Sequence, residues 1–198
     1  MRKTMMVFGL MLVLVMVGCQ KPPQVEIDGA KAALEAARTA EAMDYAPDSL
    51  RAAEDATAAL DAELKAQEQK FALFRSYKKS KELAAAALAA GEKASADAAA
   101  GKEEAKQQAQ ALITDATTAL NDAKALLEKA PRGKGTQADI EAMKGDLAGV
   151  ESSLAEAQNA FNAEKYLDAK SKAEAAKAAA GNVKSAIEQA IEAKKGRR

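Results

Sequence analysis

Histidine and tryptophan are absent from this 198-residue chain, and cysteine occurs once, at Cys19. A single thiol cannot form a disulfide within one chain, and without imidazoles or further thiolates no His/Cys metal site can form. Most catalytic nucleophiles also lose the histidine that usually serves as their base. The composition therefore argues against an enzyme, and we expect no catalytic residue, no bound metal and no cofactor.

Aromatic residues are scarce as well, at 4%, whereas alanine accounts for 52 positions. Alanine, glutamate, lysine, leucine and aspartate dominate, which is typical of long helices and coiled coils. The 29 basic and 29 acidic residues cancel, so no overall field attracts the chain to nucleic acid, and we expect no nucleic-acid partner. Because burying alanine removes little apolar surface from water, the core should be thin.

Apolar residues recur at alternating spacings of three and four, the pattern of heptad helices. It predicts helices over about 25–44, from Pro47 onward, over about 77–129, and on both sides of a turn near 162–165. One seam carries Leu50, Ala53, Thr57, Leu60, Leu64, Gln67, Phe71 and Phe74, and another carries Ile140, Met143, Leu147, Val150, Leu154, Ala157 and Phe161. The predicted fold is all-α, an elongated antiparallel helical bundle or coiled coil with alanine-rich seams.

Pro131 to Gly135 mark the clearest linker, since proline and glycine interrupt helices. We therefore divide the helical part into a first region at 25–130, a linker at 131–136 and a second region at 137–195. Gly91 and Gly101 each cost about 1 kcal/mol relative to alanine inside a helix, so either could break the long third helix.

The first 18 residues have the layout of a signal peptide, with a basic start followed by an uncharged apolar run. The run ends in Val17-Gly18-Cys19 and resembles a bacterial lipobox, although Met16 stands where leucine is usual. The resemblance implies that residues 1–18 are removed, that Cys19 is acylated, and that 19–24 form a lipidated tether. Gln20, rather than Asp, implies the outer membrane, with the protein facing the periplasm. The alternative is an ordinary secretory signal with an incidental cysteine.

The two halves of the chain are similar. At a shift of 90, Leu50, Leu60, Leu64 and Phe71 match Ile140, Val150, Leu154 and Phe161; at a shift of 89, Tyr77, Ser80, Ala84, Ala87 and Gly91 match Tyr166, Ala169, Ala173, Ala176 and Ala180. A small shift at a turn is compatible with a duplicated hairpin. Residues 45–91 and 136–191 resemble two copies of an uncharacterised helical-hairpin domain of bacterial envelope lipoproteins. That resemblance implies a fold and a compartment but no activity.

Between the two seams of the first copy lies a basic stretch with aromatic neighbours. Charge and stacking could together bind an anionic polymer such as cell-wall glycan, and the candidate contacts are Arg75, Tyr77, Lys78, Lys79 and Lys81. Alternatively, Phe71, Phe74 and Tyr77 pack against the end of the bundle while the lysines remain solvated.

These observations predict a lipid-anchored, non-catalytic envelope protein that acts as a spacer or scaffold in the periplasm. Its expected partners are the membrane, through the N-terminal lipid, and other envelope proteins or peptidoglycan. The alternative is a peptidoglycan-binding module that uses the basic stretch. Heptad seams can pair within one chain or between chains, so homo-oligomers are also compatible with the sequence.

Overall fold

The computed structural model describes residues 21–130 and 137–195, and its regular structure in these ranges is helical, with no strand. The α-helices are α1 (Gln24–Thr39), α2 (Ala42–Tyr45), α3 (Pro47–Glu68), α4 (Lys78–Glu128), α5 (Gln137–Asn162) and α6 (Tyr166–Lys195), with a 3-10 turn at Ala72–Phe74. The predicted all-α helical bundle is therefore confirmed. The predicted signal peptide, Cys19 and the linker at 131–136 lie outside the described residues.

The chain folds into two compact units, one ending at Gly101 and the other beginning at Lys102. Helix α4 contributes its first part to one unit and its second part to the other. It is continuous through both Gly91 and Gly101, so neither glycine breaks it.

The first unit is a three-helix bundle of α1, α3 and the beginning of α4. Its core has two parts, one formed by Ile27, Ala30, Leu60, Ala84 and Ala87, and the other by Leu34, Ala37, Ala42, Leu50, Ala53, Ala94 and Ala98. Early residues of α1 therefore meet late residues of α3 and early residues of α4. This order shows that successive long helices are antiparallel, as the heptad pattern predicts.

The second unit repeats this arrangement with the later part of α4, α5 and α6. Small layers of alanine lie near the α5–α6 turn, where Ala109 packs with Ala160 and Ala169, and Ile113 with Ala157 and Ala173. A larger cluster follows, formed by Ala116, Leu120, Ala123, Leu127, Ala130, Leu147, Val150, Ala176, Ala180, Val183 and Ile187. The bulkier side chains are thus concentrated at one end of this unit.

The correspondence between the units extends beyond the hairpin that the sequence comparison detected. The paired positions at the start of the last helix of each unit, such as Tyr77 and Tyr166, are buried in both. In addition, four of the five buried residues of α1 lie 86 positions before identical buried residues of α4: Ile27, Ala30, Leu34 and Ala37 match Ile113, Ala116, Leu120 and Ala123. The repeating structural element therefore contains three helices, and α1 has its counterpart within α4.

The predicted first helix, 25–44, is interrupted in the structure. Helix α1 ends at Thr39, and Glu41 adopts the left-handed conformation (φ 60°) before the short α2. That conformation costs roughly 1–2 kcal/mol for a residue other than glycine. It turns the chain so that Ala42 is fully buried against α3 and α4. Since Glu41 is not a glycine, the local sequence contains no signal for this turn.

Gly91 and Gly101 allow two backbones to come close to α4. A Cβ atom at Gly91 would lie 2.8 Å from the carbonyl carbon of Ala33 in α1, and one at Gly101 would lie 2.5 Å from the carbonyl oxygen of Tyr45. Real Cβ atoms do not come this close to backbone atoms. These two glycines are therefore required by packing between helices.

Replacing Gly91 should destabilise the first unit. The variant Gly91→Ala forces α1 away from α4, and we expect a net loss of about 1–3 kcal/mol even though alanine favours the helix. The matched control is Gly29→Ala in α1, where a Cβ atom meets nothing within 4 Å. This control should gain about 0.5–1 kcal/mol. Urea unfolding followed by circular dichroism measures both changes, and stabilisation by Gly91→Ala would refute the packing argument.

A second prediction concerns Ser80, which is fully buried while its hydroxyl has no hydrogen-bond partner in the structure. The equivalent position of the second unit is Ala169, also fully buried. Ser80→Ala should therefore stabilise the protein by roughly 1 kcal/mol, because it removes an unsatisfied hydroxyl. The reciprocal variant Ala169→Ser should destabilise it by a similar amount. Both changes are measured by urea unfolding. Destabilisation by Ser80→Ala, or stabilisation by Ala169→Ser, would contradict this account.

Candidate functional site

The turn between α3 and α4, residues 69–77, contains most of the predicted contact residues. It is fastened by Gln67, which is buried although its side chain is polar. The Gln67 amide Nε2 donates a hydrogen bond to Glu63 Oε1 (2.7 Å), and its Oε1 accepts one from the backbone N–H of Ser76 (3.1 Å). The polar interruption at this seam position therefore holds the turn to the end of α3.

Arg75 forms hydrogen bonds with the backbone at the end of α3 and in the same turn. Its guanidinium group donates hydrogen bonds to the carbonyl oxygens of Glu68 (2.9 Å) and Lys70 (3.0 Å). The last carbonyls of a helix have no partner within the helix, and a cation there also favours the helix dipole. In this conformation Arg75 therefore caps α3.

Two of the three predicted lysines are engaged in ion pairs. Lys79 lies 3.1 Å from Glu63 of α3, and Lys81 lies 3.2 Å from Glu26 of α1. The Lys81–Glu26 pair is exposed on both sides and contributes little to stability, whereas the side chain of Glu63 is only 13% exposed. Lys78 is exposed and makes no ion pair within the part of the chain that the structure describes.

Tyr77 is buried, with only 4% of its surface exposed, so its ring is covered rather than presented to a ligand. It borders an open groove of about 370 Å³ that is also lined by Lys21, Lys78 and Lys81. Lys21 and Lys81 are about 60 residues apart in the sequence. This groove therefore brings the start of the described chain beside the turn.

Among the described residues, the exposed aromatic side chains are Phe71 and Phe74, at 69% and 76% exposure, with Leu73 between them at 51%. Their rings are 6.4 Å apart and tilted by 51°. The predicted seam that included Phe71 and Phe74 is wrong at its end, because α3 stops at Glu68. The alternative in which these two rings pack against the bundle end is also wrong for them, and only Tyr77 is buried there.

The equivalent turn of the second unit explains the difference. It contains only residues 163–165, so Phe161 remains on α5 and its ring lies 5.3 Å from that of Tyr166. In the first unit the longer turn leaves the helix before Phe71 and carries the ring into solvent. Turn length, and not the heptad pattern, thus decides whether the phenylalanine packs partly against the helices, as Phe161 does, or is exposed, as Phe71 is.

The turn and the start of α4 carry only basic charges. Residues 70–81 contain five basic side chains and no acidic one. Glu63 faces this stretch, and hydrogen bonds from Gln67 and then from Lys79 lower the pKa of its carboxyl. The pKa of Glu26 is also lowered, first by its own backbone N–H at the start of α1 and then by Lys81. Both carboxylates are therefore held in their charged form beside the lysines.

Other kinds of site find no support in the described ranges. There, no group of three or more Asp, Glu, His or Cys side chains is placed to hold a metal ion. None of the helices in these ranges combines the length and hydropathy that a membrane span requires. No protein-family model matches the chain, and no similar curated protein or solved structure was found.

Neutralising Glu63 should make the protein less sensitive to acid. Because its folded pKa lies below the ordinary value of 4.5, Glu63 stabilises the fold above that value, and the contribution is lost as pH falls through the folded pKa. The urea midpoint, measured from about pH 6 to about pH 3, should therefore fall less steeply for Glu63→Gln than for the wild type. Equal slopes would contradict this role.

Proposed function

We propose that this protein is a lipid-anchored, non-catalytic component of the bacterial cell envelope that acts as a spacer or scaffold. The observation that carries the proposal is the short distance in sequence between the predicted anchor and the folded body. Helix α1 begins at Gln24, five residues after Cys19, and packing starts with its first turns. A diacylglycerol thioether together with an N-acyl group supplies the two lipid signals that stable anchoring needs.

The charged surface is consistent with a structural role. Along the contact between α4 and α6, polar pairs recur every seven residues: Gln108 with Lys170 (2.8 Å), Asp115 with Lys177 (2.7 Å) and Asp122 with Lys184 (3.8 Å). Such a ladder sets the register of two helices. These acidic groups are spread along a helix face, whereas acid–base catalysis needs them to converge in a pocket.

The compartment and the partners are part of the proposal. Gln20 after the acylated cysteine favours the outer membrane, with the bundle in the periplasm. Within each unit the heptad seams are filled by helices of the same chain. Partner proteins, or a second copy, would therefore use the outer Lys/Glu faces.

The second candidate function is binding of peptidoglycan through the turn at 69–77. The observation in its favour is the exposure of Phe71 and Phe74 beside Lys78, since flat rings and cations are the groups that hold sugars and anionic polymers. Purified peptidoglycan should then retain the wild-type protein and release the triple variant Lys78→Glu, Lys79→Glu, Lys81→Glu. Equal retention of both, or none of the wild type, would remove this candidate.

The anchor is tested by labelling cells with radioactive palmitate. The wild-type protein should incorporate the label, and globomycin, which blocks lipoprotein signal peptidase, should make the uncleaved precursor accumulate. Cys19→Ser should abolish labelling while leaving the helical bundle intact. An unmodified thiol at the mature N-terminus, or cleavage at another position, would refute the proposal.

A further inference from the structure

The exposed apolar residues of the turn form a tip, defined here as Phe71, Leu73 and Phe74. All three are more than half exposed, and each is a large hydrophobic side chain. Isolated apolar residues on a surface are ordinary, but three within four positions on one projecting turn form a patch. The tip contributes nothing to the core of the first unit, because none of its residues is buried there. Its exposure therefore has no explanation in folding.

The tip lies at the end of the first unit where the described chain begins. Lys21 borders the groove beside Tyr77, Lys78 and Lys81, and Lys81 is paired with Glu26 in the first turn of α1. Cys19 is two residues before Lys21, and two extended residues span at most about 7 Å. If Cys19 carries a lipid, as proposed above, that lipid would hold this end of the unit near the bilayer surface.

The chemistry of the tip matches a phospholipid surface. Amphipathic segments bind membranes by placing aromatic and aliphatic side chains about 5–10 Å into the headgroup boundary, while lysine and arginine contact anionic lipids. Here the apolar tip is flanked by Lys70 and Lys78. Lys78 makes no ion pair within the described residues, Lys70 interacts electrostatically with Glu63, and acidic residues are missing from 70–81. A glycan ligand would leave Leu73 without a role, since an aliphatic chain offers no stacking face.

We propose that the tip inserts into the membrane interface beside the lipid anchor, with the flanking lysines on anionic headgroups. This inference rests on the proposed acylation of Cys19. The lipid and the tip together make two points of attachment. They hold the turn end of the first unit at the bilayer and direct its opposite end, at α2, away from it.

The absence of tryptophan from the chain allows a direct test with single-tryptophan variants. Phe74→Trp places the probe in the tip. Met43→Trp is the matched control, because Met43 is equally exposed, at 73%, but lies in α2 at the other end of the first unit. Helix α3, with its 22 residues, separates the two ends by about 33 Å. Both variants are prepared as the mature lipidated protein and reconstituted into vesicles of phosphatidylcholine and phosphatidylglycerol, with and without brominated acyl chains.

The expected result is a shift of the Phe74→Trp emission to shorter wavelength, with strong quenching by the brominated lipid and neither effect in Met43→Trp. Adding Phe71→Ser and Leu73→Ser to the Phe74→Trp variant should reduce the quenching, and so should omission of phosphatidylglycerol. Circular dichroism verifies that each variant keeps its helices. Absence of quenching in Phe74→Trp, or equal quenching in Met43→Trp, would overturn the proposal.

The two experiments distinguish a failure of the proposed membrane insertion from a failure of the proposed acylation. If Cys19 is not acylated, the palmitate experiment fails and no lipidated protein is obtained for the vesicles. If the protein is acylated but the emission of Phe74→Trp responds to purified peptidoglycan and not to lipid, the anchor stands and the tip is a glycan site. That result would also overturn the inference.

Discussion

Close contact between helix backbones, made by alanine and glycine, is the constraint on which the rest of this structure depends. In the first unit most core side chains are methyl groups of alanine, so the helices approach closely and Gly91 and Gly101 meet backbone atoms directly. Each such contact buries little apolar surface. Stability must therefore accumulate along long helices, which explains the 26 and 30 residues of α5 and α6.

A core made mainly of alanine also specifies the alignment of two packed helices poorly, because a shifted helix would again place a methyl group at each core position. Polar contacts between helices specify the register that the alanine core does not. The pairs between α4 and α6 repeat with the heptad, and in the first unit Arg38 of α1 reaches Glu54 of α3 at 2.8 Å. Individually these exposed pairs are weak. Together they disfavour alignments in which one helix is shifted along the other. Because the charges serve this role, they are spread along the helices and do not form a compact binding or catalytic site.

Against this background, the turn at 69–77 is the exception. Elsewhere in the described residues large hydrophobic side chains are exposed singly, as at Met43, whereas Phe71, Leu73 and Phe74 are exposed together within four positions. Arg75 and Gln67 hold the turn in place through backbone hydrogen bonds. A rigid support under an exposed apolar tip is the arrangement that an interfacial contact requires, and its closeness to Lys21 links it to the proposed anchor.

The sequence by itself determined the helical class, since spacings of three and four identify the buried face. Its lack of histidine and of a second cysteine also excludes a metal site built from His and Cys ligands. The sequence also identified Tyr77 and Tyr166 as equivalent positions. Only the tertiary structure decided which helices share a core, why Gly91 is needed, that Glu41 turns the chain, and that Phe71 is exposed while Phe161 is partly buried. The physical reason is that periodicity is a property of one helix, whereas these features depend on how closely a second helix approaches and on how many residues the turn between them contains.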